Sequence, residues 1–322
     1  MKSIFSVLPF TLGTILCTPL LAQTTWPDKP VRIVVPYAAG GTTDFAARQV
    51  ARKLTEQTGQ SFIVENKTGA SGTIGSNFVA KSAPDGNTLL TNDTTYAMLP
   101  AIFKKLPWDQ ASDLIPVTTL AVTPVVLVVP AQSPFKTVAD LIAFAQSHPG
   151  QLNFGSGGAG SSTHLSGEVF EKEAHVAMTH IPFKGAGDAM LALMGNQVDV
   201  LITASPTAIP VVNGGKVRAL ATTGDKRLSG LPAVPTFKEA GLPGFVVMNW
   251  FGLAAPKGTP VAVVQKLQQE VVKAMMDPGL VERFAQQGAQ PGGLPSAEFA
   301  ALVRKETHAW SAVARAAGVK PE

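Results

Sequence analysis

Short runs of β-branched apolar residues alternate with helical patterns along most of this chain, and this alternation limits the fold more than any other feature. Runs typical of strands lie at 31–35, 62–65, 88–91, 125–129, 152–154, 178–181, 198–202 and 217–222. Amphipathic helices are predicted between several of them, at 43–58, 138–147, 162–174 and 188–194. Apolar strands joined by helices indicate parallel sheets covered on both faces. The sequence therefore predicts an α/β protein.

Two interruptions in this alternation of strands and helices predict two lobes. One break lies near Pro124, and the other lies near Phe245, after a segment rich in proline and glycine. A strand is predicted at 246–253, and helices follow from Pro260 onward, the last at 296–317. We predict one lobe from residues 23–123 plus 247–322 and a second lobe from 124–246. Each lobe would be a mostly parallel sheet flanked by helices, and the two chain crossings between the lobes would form a hinge.

The first 22 residues have the features of a secretory signal peptide. Lys2 precedes an apolar run that ends at Ala22, and polar residues follow. The run is short and broken by prolines, whereas a membrane-spanning helix needs about 20 apolar residues. The single cysteine, Cys17, lies inside this segment, so a chain cleaved near Ala22 has no thiol for a disulfide, a metal site or a nucleophile. We predict an exported, periplasmic, water-soluble monomer.

The composition argues against nucleic acid as a partner. The 26 Lys and Arg residues are scattered, the net charge is only +4, and the chain has 2 Tyr and 4 Trp. It therefore shows neither a basic stripe nor a set of stacking aromatic residues. The slight positive balance favours an anionic small molecule over a cationic one.

Two glycine-rich loops each lead from a predicted strand into a predicted helix. The first, residues 36–44, contains Gly40, Gly41 and two threonines, and its small residues let the backbone approach a ligand. The start of a helix has unpaired N–H groups and a positive dipole end, which suit an anion. An ordinary capped helix, with Thr42 or Thr43 as the cap and Asp44 in the first turn, is the alternative.

The second loop, residues 155–164, contains the pattern G-x-G-x-x-G of dinucleotide-binding proteins. The following strand ends in Ile181, Pro182, Phe183 and Lys184, and so it lacks the acidic residue that holds a ribose hydroxyl. An exported protein also has little access to free nicotinamide cofactor. A carboxylate site made of serine and threonine hydroxyls and backbone N–H groups fits the same residues, and we expect no cofactor.

Both loops are predicted at the carboxyl ends of strands, one in each lobe, where open α/β sheets bind ligands. Two helix ends facing one cleft would hold a small acid from both sides. Thr94 and Thr95 follow one strand, and Thr203 and Ser205 follow another, so these residues are weaker candidates for the cleft wall. Phe183 and Lys184 could close this wall, although a surface lysine is the commoner outcome.

Ser156 or Ser162 with His164 could suggest a secreted hydrolase. Neither serine lies in a G-x-S-x-G elbow, and no acid is obviously placed to orient the histidine, so a capping or packing role for His164 is favoured. His164, His175 and His180 do not have the spacing of metal ligands on a helix face, and we expect no metal site.

The sequence resembles the extracytoplasmic solute receptors of tripartite tricarboxylate transporters, often called Bug receptors, over essentially the whole chain after residue 22. The resemblance is carried in order by the segments WPDKPVRIVVPY at 26–37, GGTTD at 40–44, VENK at 64–67, GASG at 69–72, PDG at 84–86, GSGG at 155–158, THL at 163–165, KVRALA at 216–221, PT at 235–236, EAG at 239–241, WFGL at 250–253 and AP at 255–256.

This resemblance implies a hinge-closing binding protein that holds a small carboxylic acid, partly through backbone amides and bridging waters. The acid would lie between residues 37–43 and residues 156–163, and a membrane permease would receive it. The run at 203–206 departs from the family's commoner sequence, which leaves the ligand's identity open. The ligand-binding candidates are Tyr37, Ala39, Gly40, Gly41, Thr42, Thr43, Asp44, Thr94, Thr95, Ser156, Gly157, Gly160, Ser161, Ser162, Thr163, His164, Phe183, Lys184, Thr203 and Ser205.

The sequence thus predicts a receptor for a dicarboxylate, a tricarboxylate or an aromatic acid that does no chemistry itself. Two alternatives stay open at this point, a secreted serine hydrolase and the binding protein of an ABC importer.

Overall fold

A computed structural model describes residues 26–316, 319 and 321, so the predicted signal peptide lies outside the described residues. Three parallel strands form one half of the first sheet, with β1 between β2 and β3. The chain passes between them through helices because parallel neighbours need crossover connections. These elements are β1 (Val31–Val35), α1 (Thr42–Thr58), β2 (Phe62–Asn66), α2 (Thr73–Ala80) and β3 (Thr88–Asp93).

The second sheet repeats this plan in the middle of the chain. Its parallel half has β5 between β6 and β7. The elements here are α4 (Val138–Ser147), β5 (Asn153–Ser156), α5 (Ser162–Ala174), β6 (Thr179–Pro182), α6 (Ala186–Met194), β7 (Val200–Ala204), α7 (Ser205–Asn213) and β8 (Val217–Thr222).

One long strand, β4 (Leu114–Pro130), belongs to both sheets. From Leu114 to Pro124 it pairs antiparallel with β9 (Met248–Pro256), and from Val125 onward it pairs with β7 and β8. Strand β9 in turn pairs antiparallel with β3. The chain therefore passes between the sheets at Val125 and again just before Met248.

Each sheet is mixed, because these crossing strands run antiparallel to their neighbours. The alternation of strands and helices predicts the parallel half of each sheet, but it does not reveal that β4 and β9 run antiparallel to their neighbours. The remaining elements are α3 (Thr94–Ile102), α8 (Val261–Met275), α9 (Pro278–Gln286), the short β10 (Gln290–Pro291) beside β4, and α10 (Ser296–Ala316).

Each sheet carries a buried apolar core on both faces, as the near-continuous apolar strands predict. Helix α10 contributes to two of these cores: Phe299 and Val303 pack with Trp250 of the first sheet, and Trp310 and Ala314 pack with Phe170 of the second-sheet region. None of the helices in the described part of the chain is both long and apolar enough to cross a bilayer.

Candidate functional site

Five helices begin where the two sheets face each other. Each follows the carboxyl end of a parallel strand: α1 follows β1, α3 follows β3, α5 follows β5, α6 follows β6 and α7 follows β7. Two of these helices, α3 and α7, start directly at the end of their strand. Open α/β sheets bind ligands at this end of their strands.

The starts of these helices enclose a cavity of about 30 Å³ between the sheets. Water needs roughly 10–15 Å³ on this measure, so the contacting lobes leave room for a group about as large as a carboxylate. The lining residues are Tyr37, Ala38, Gly41, Thr42, Thr43, Asp93, Thr95, Asn249 and Phe251 from the first sheet region, and Gly157, Ser161, Ser162, Thr163, Ala186, Thr203 and Ala204 from the second.

Three of the five helices have no side chain capping their first turn. The N-cap residues are Gly41 for α1, Gly185 for α6 and Ala204 for α7, and none has a side-chain hydrogen bond to the helix. First-turn N–H groups have no acceptor within their own helix, and each helix start carries about half a positive charge. Side chains therefore leave first-turn N–H groups of α1 and α6 without an acceptor at the cavity wall, which suits an anion, although none of the described lining residues is Lys or Arg.

Two buried polar side chains on the wall lack hydrogen-bond partners. Thr203 is 0% exposed and Asn249 is 2% exposed, and the Thr203 Oγ1 and Asn249 Oδ1 atoms have no partner. An unpaired buried polar atom costs about 1–3 kcal/mol. Both residues line the cavity, so a ligand that accepts from the Thr203 hydroxyl would remove the cost at Thr203, whereas Asn249 Oδ1 needs a hydrogen-bond donor.

Asp93 is a buried carboxylic acid on the same wall, at the end of β3. It caps α3 by accepting from the Thr95 N–H at 2.9 Å, and it accepts from the Tyr37 hydroxyl at 3.1 Å and from the Thr43 hydroxyl at 2.9 Å. Burial raises the pKa of Asp93, although its hydrogen bonds from Thr95 and Thr43 oppose this rise. Burial and the charge of Asp93 also raise the pKa of Tyr37 well above its usual value, so Tyr37 keeps its proton.

Hydrogen bonds join the two sides directly around the cavity. The Ser162 N–H donates to Thr95 Oγ1 at 3.0 Å, and the hydroxyl oxygens of Thr42 and Thr207 are 2.8 Å apart. At the rim, Ser71 Oγ donates to the Ala159 carbonyl at 2.6 Å. These bonds hold the two lobes in contact.

The structure brings half of the predicted site residues together on the cavity wall. These are Tyr37, Gly41, Thr42, Thr43, Thr95, Gly157, Ser161, Ser162, Thr163 and Thr203. They come from both glycine-rich loops, from the start of α3 after β3 and from the end of β7, so the four candidate segments meet at one place.

The other predicted residues of the first lobe lie beside the cavity, because their polar groups are used elsewhere or because they lie at the rim. Ala39 and Gly40 are exposed at the rim. The Asp44 carboxylate accepts from Arg48, Asn66 and the Gly40 N–H, and these hydrogen bonds outweigh burial and lower its pKa. Thr94 Oγ1 accepts from the Trp250 N–H at 3.0 Å.

Predicted residues of the second lobe also lie outside the lining. Ser205 Oγ donates to the Gly288 carbonyl at 3.2 Å. Phe183 packs in an apolar core, and Lys184 is exposed while its carbonyl accepts from the Ala38 N–H at 3.3 Å. The Gly160 N–H donates to His164 Nδ1 at 2.9 Å.

Ser156 and His164 belong to a buried cluster behind the second loop. Ser156 Oγ lies 2.5 Å from His180 Nε2, and the His180 ring stacks on His164 with 3.7 Å between ring centroids. His164 Nε2 in turn lies 3.2 Å from a Glu168 carboxylate oxygen. Ser156 is 0% exposed and does not line the cavity, so its hydroxyl is not presented to a substrate there.

Sequence reasoning missed several lining residues, above all Asp93 and Asn249. Each had a local signal: Asp93 ends an apolar strand just before two threonines, and Asn249 is a polar residue in a run of apolar ones. Their approach to the two loops depends on the order of strands β3, β9 and β4, which local patterns do not reveal. In the described part of the chain, no three potential metal-ligating side chains come together.

The chain matches the family model described as tripartite tricarboxylate transporter family receptor over residues 46–319. Among curated relatives, it is 34% identical to the protein BugT of Bordetella pertussis over 322 residues, which cover 99% of both chains.

Solved structures agree with this match. A protein of R. palustris solved with adipate is 35% identical, with a TM-score of 0.89 over 92% of this chain and 100% of that one. The protein MatC of Rhodopseudomonas palustris with bound malate is also 35% identical, with a TM-score of 0.84 over 89% and 99%. These likenesses confirm the predicted two-lobed α/β binding-protein fold. The chain belongs to the receptor family of the tripartite tricarboxylate transporters.

Proposed function

We propose that this receptor holds one small carboxylate in the cavity between residues 37–43 and 156–163 and delivers it to a membrane permease without doing chemistry. The observation that carries this proposal is the meeting of helix starts without side-chain caps from both sheets with an unpartnered buried hydroxyl, Thr203 Oγ1. Adipate and malate in the two solved relatives support a carboxylate ligand.

Ligand binding and lobe closure are coupled in this proposal. A ligand that contacts both sheets binds the closed arrangement better than an open one, and this difference in affinity is the free energy that drives closure. The bonds from Ser162 to Thr95 and from Ser71 to Ala159 form only when the lobes meet. The free energy of these hydrogen bonds adds to the free energy of closure that the ligand supplies.

The proposal also covers export and transport. Residues 1–22 would direct the chain to the periplasm and be removed near Ala22, and the receptor would act there as a monomer. The family match supports a permease of the tripartite tricarboxylate type as the partner.

The first test identifies the ligand class. Native mass spectrometry of freshly purified protein is expected to show a retained small acid, and a thermal-shift panel of mono-, di- and aromatic carboxylates is expected to raise the Tm for one class. Ligands that bind only the folded state raise its stability in proportion to RT ln(1 + [L]/Kd). A panel without any shift, together with no retained acid, would contradict the proposal.

The second test changes the cavity wall. Gly41 has negative φ, and a Cβ there would lie 3.6 Å from the Gly187 nitrogen across the gap between the lobes. We expect Gly41→Val to weaken carboxylate binding by about tenfold or more, roughly 1.4 kcal/mol, with little change in Tm. Gly195→Val is the matched control, because Gly195 also has negative φ and ordinary neighbours but lies at the far end of α6. Equal losses in both variants would count against the site.

A further inference from the structure

The peptide unit between Ala159 and Gly160, in the second glycine-rich loop, is held from both lobes. Its carbonyl accepts from Ser71 Oγ of the first lobe at 2.6 Å. Its N–H, on the opposite side of the same planar unit, donates to His164 Nδ1 at 2.9 Å. His164 does not line the cavity, but it fixes the orientation in which the Ala159 carbonyl meets the first lobe.

The bond from Gly160 also defines where His164 carries its proton. A backbone N–H can only donate, so Nδ1 is the unprotonated acceptor nitrogen, and the neutral ring carries its hydrogen on Nε2. Nε2 lies 3.2 Å from a carboxylate oxygen of Glu168, one turn further along α5. Helix α5 therefore presents a single tautomer of His164 to the loop.

The elements packed against α5 bring few charges to His164. Strands β5 and β7 and helix α3 contain no Asp, Glu, Lys, Arg or His. Helix α10 contributes Glu306, whose carboxylate accepts from the Trp310 ring N–H. The His180 ring of β6 stacks on His164, and burial, with His164 acting in the same direction, lowers the pKa of His180 to about 3. His180 therefore stays neutral in mild acid.

Within α5, Glu171 also takes up a proton near neutral pH. Burial and the charge of Glu168 raise the pKa of Glu171 to about 7, although its hydrogen bond from the Met178 N–H opposes this rise. This bond ties Glu171 to the segment before β6 rather than to the glycine-rich loop. His164 is thus the group through which mild acid reaches the loop.

Acid reverses the hydrogen-bonding character of Nδ1. Histidine takes up its second ring proton in roughly the range from pH 8 to pH 5, and both ring nitrogens are then donors. The Gly160 N–H and a protonated Nδ1 would face each other as two donors, so their hydrogen bond is lost. The Ala159 carbonyl of the same peptide unit then loses the support that directs it toward Ser71.

We propose that His164 is a positioning residue for lobe closure: its unprotonated Nδ1 holds the Ala159–Gly160 peptide toward Ser71, and protonation in mild acid releases this peptide and weakens ligand binding. The inference rests on the proposed function, because it requires a ligand that binds the closed lobes. It adds control by pH to the same site.

The first experiment removes the titration but keeps the acceptor. In His164→Asn the amide oxygen takes the place of Nδ1, so we expect the affinity for adipate or malate at about pH 7.5 to stay within about twofold of wild type. Between about pH 7.5 and about pH 5, wild type should lose about two- to tenfold more affinity than His164→Asn, the worth of one hydrogen bond. Isothermal titration measures both values.

The comparison isolates His164, because protonation of the acid itself and of Glu171 is common to both proteins. His148→Asn is the matched control, since this ring lies at the end of α4 against Phe144, and the variant should keep the wild-type pH profile. Equal pH profiles for wild type and His164→Asn would overturn the proposal and leave the proposed function intact. Failure of adipate, malate and all other carboxylates to bind at neutral pH would defeat both.

The second experiment tests whether His164 acts through Ser71. Ser71→Ala already removes the bond that His164 supports, so its affinity should change less with pH than that of wild type. His164→Gln removes the acceptor at the Nδ1 position, and in the Ser71→Ala background it should cost less than about twofold, whereas a merely structural effect would multiply with the loss from Ser71→Ala. If the His164 variants do not fold, the pH profile of Ser71→Ala decides alone, and a profile as steep as that of wild type overturns the proposal.

Discussion

At the scale of single residues, His180 shows how burial controls charge in this protein. Its ring stacks on the His164 ring and is hydrogen-bonded to the Ser156 hydroxyl behind the second glycine-rich loop. Burial lowers the pKa of His180 to about 3, and the neighbouring His164 acts in the same direction. A histidine in the unfolded chain has a pKa near 6.5. Between these two values the unfolded chain therefore binds more protons at this residue than the folded chain does.

We expect the contribution of His180 to stability to be present above about pH 6.5 and to be lost as the pH falls toward 3. The ring is partly exposed, so we discount the full linkage and expect a loss on the order of 1 kcal/mol by pH 4. Urea unfolding of wild type and His180→Gln from pH 7 to pH 4 measures it. The stability advantage of wild type should shrink on acidification, and parallel pH profiles would rule the effect out.

At the scale of elements, the turn before α2 makes a hydrogen bond from the first lobe to the second. Ala70 and Ser71 both have positive φ, 44° and 51°, in the left-handed region that non-glycine residues seldom adopt. This turn aims Ser71 Oγ at the Ala159 carbonyl of the second glycine-rich loop. A single side chain on one lobe thus donates a hydrogen bond to the second glycine-rich loop on the other lobe.

Ser71→Ala should therefore weaken ligand binding through closure alone. One hydrogen bond is worth about 0.5–1.5 kcal/mol, so we expect a loss of about two- to tenfold in affinity with unchanged ligand specificity. Titration calorimetry gives the affinity, and small-angle scattering reports whether the ligand-bound form is less compact. Ser82→Ala is the control, since Ser82 Oγ bonds only the Phe78 carbonyl inside one lobe. Identical ligand affinities in Ser71→Ala and Ser82→Ala would show that the Ser71 hydrogen bond does not contribute to binding.

The same scale shows what the sequence could reveal. The bounds of β1, α4, α5 and β8 match their patterns to the residue, because strong apolar periodicity and caps such as Ser161 define them locally. Helices α3 and α7 were missed because prolines interrupt them and no turn separates them from the preceding strands. The first half of β4 was missed because Pro116 and several threonines dilute its apolar pattern.

The candidate site divides in a similar way. The two loops could be found because glycine, serine and threonine cluster between a strand and a helix. Asp93 and Asn249 had weaker local signals, and their approach to the two loops follows from the sheet order that places β3 beside β9 and β9 beside β4. Conversely, Asp44 and His164 are polar side chains in the two predicted loops, but Asp44 is paired with Arg48 and His164 lies against Glu168, so both are occupied outside the cavity.

At the scale of the whole molecule, β4 and α10 tie the two sheets together. Because β4 carries hydrogen bonds of both sheets and α10 packs in cores of both, neither half can lose its structure without exposing part of the other. We expect a single thermal transition in scanning calorimetry, with equal calorimetric and van't Hoff enthalpies. Two resolved transitions would show that the lobes unfold separately.

Among the described residues, no Lys or Arg lines the cavity wall. In the proposed site, fixed peptide dipoles and hydroxyls would hold the ligand in a buried place, where dissolved ions weaken attraction far less than they do between exposed charges. We therefore expect the affinity for the ligand to change little between low and high salt concentration.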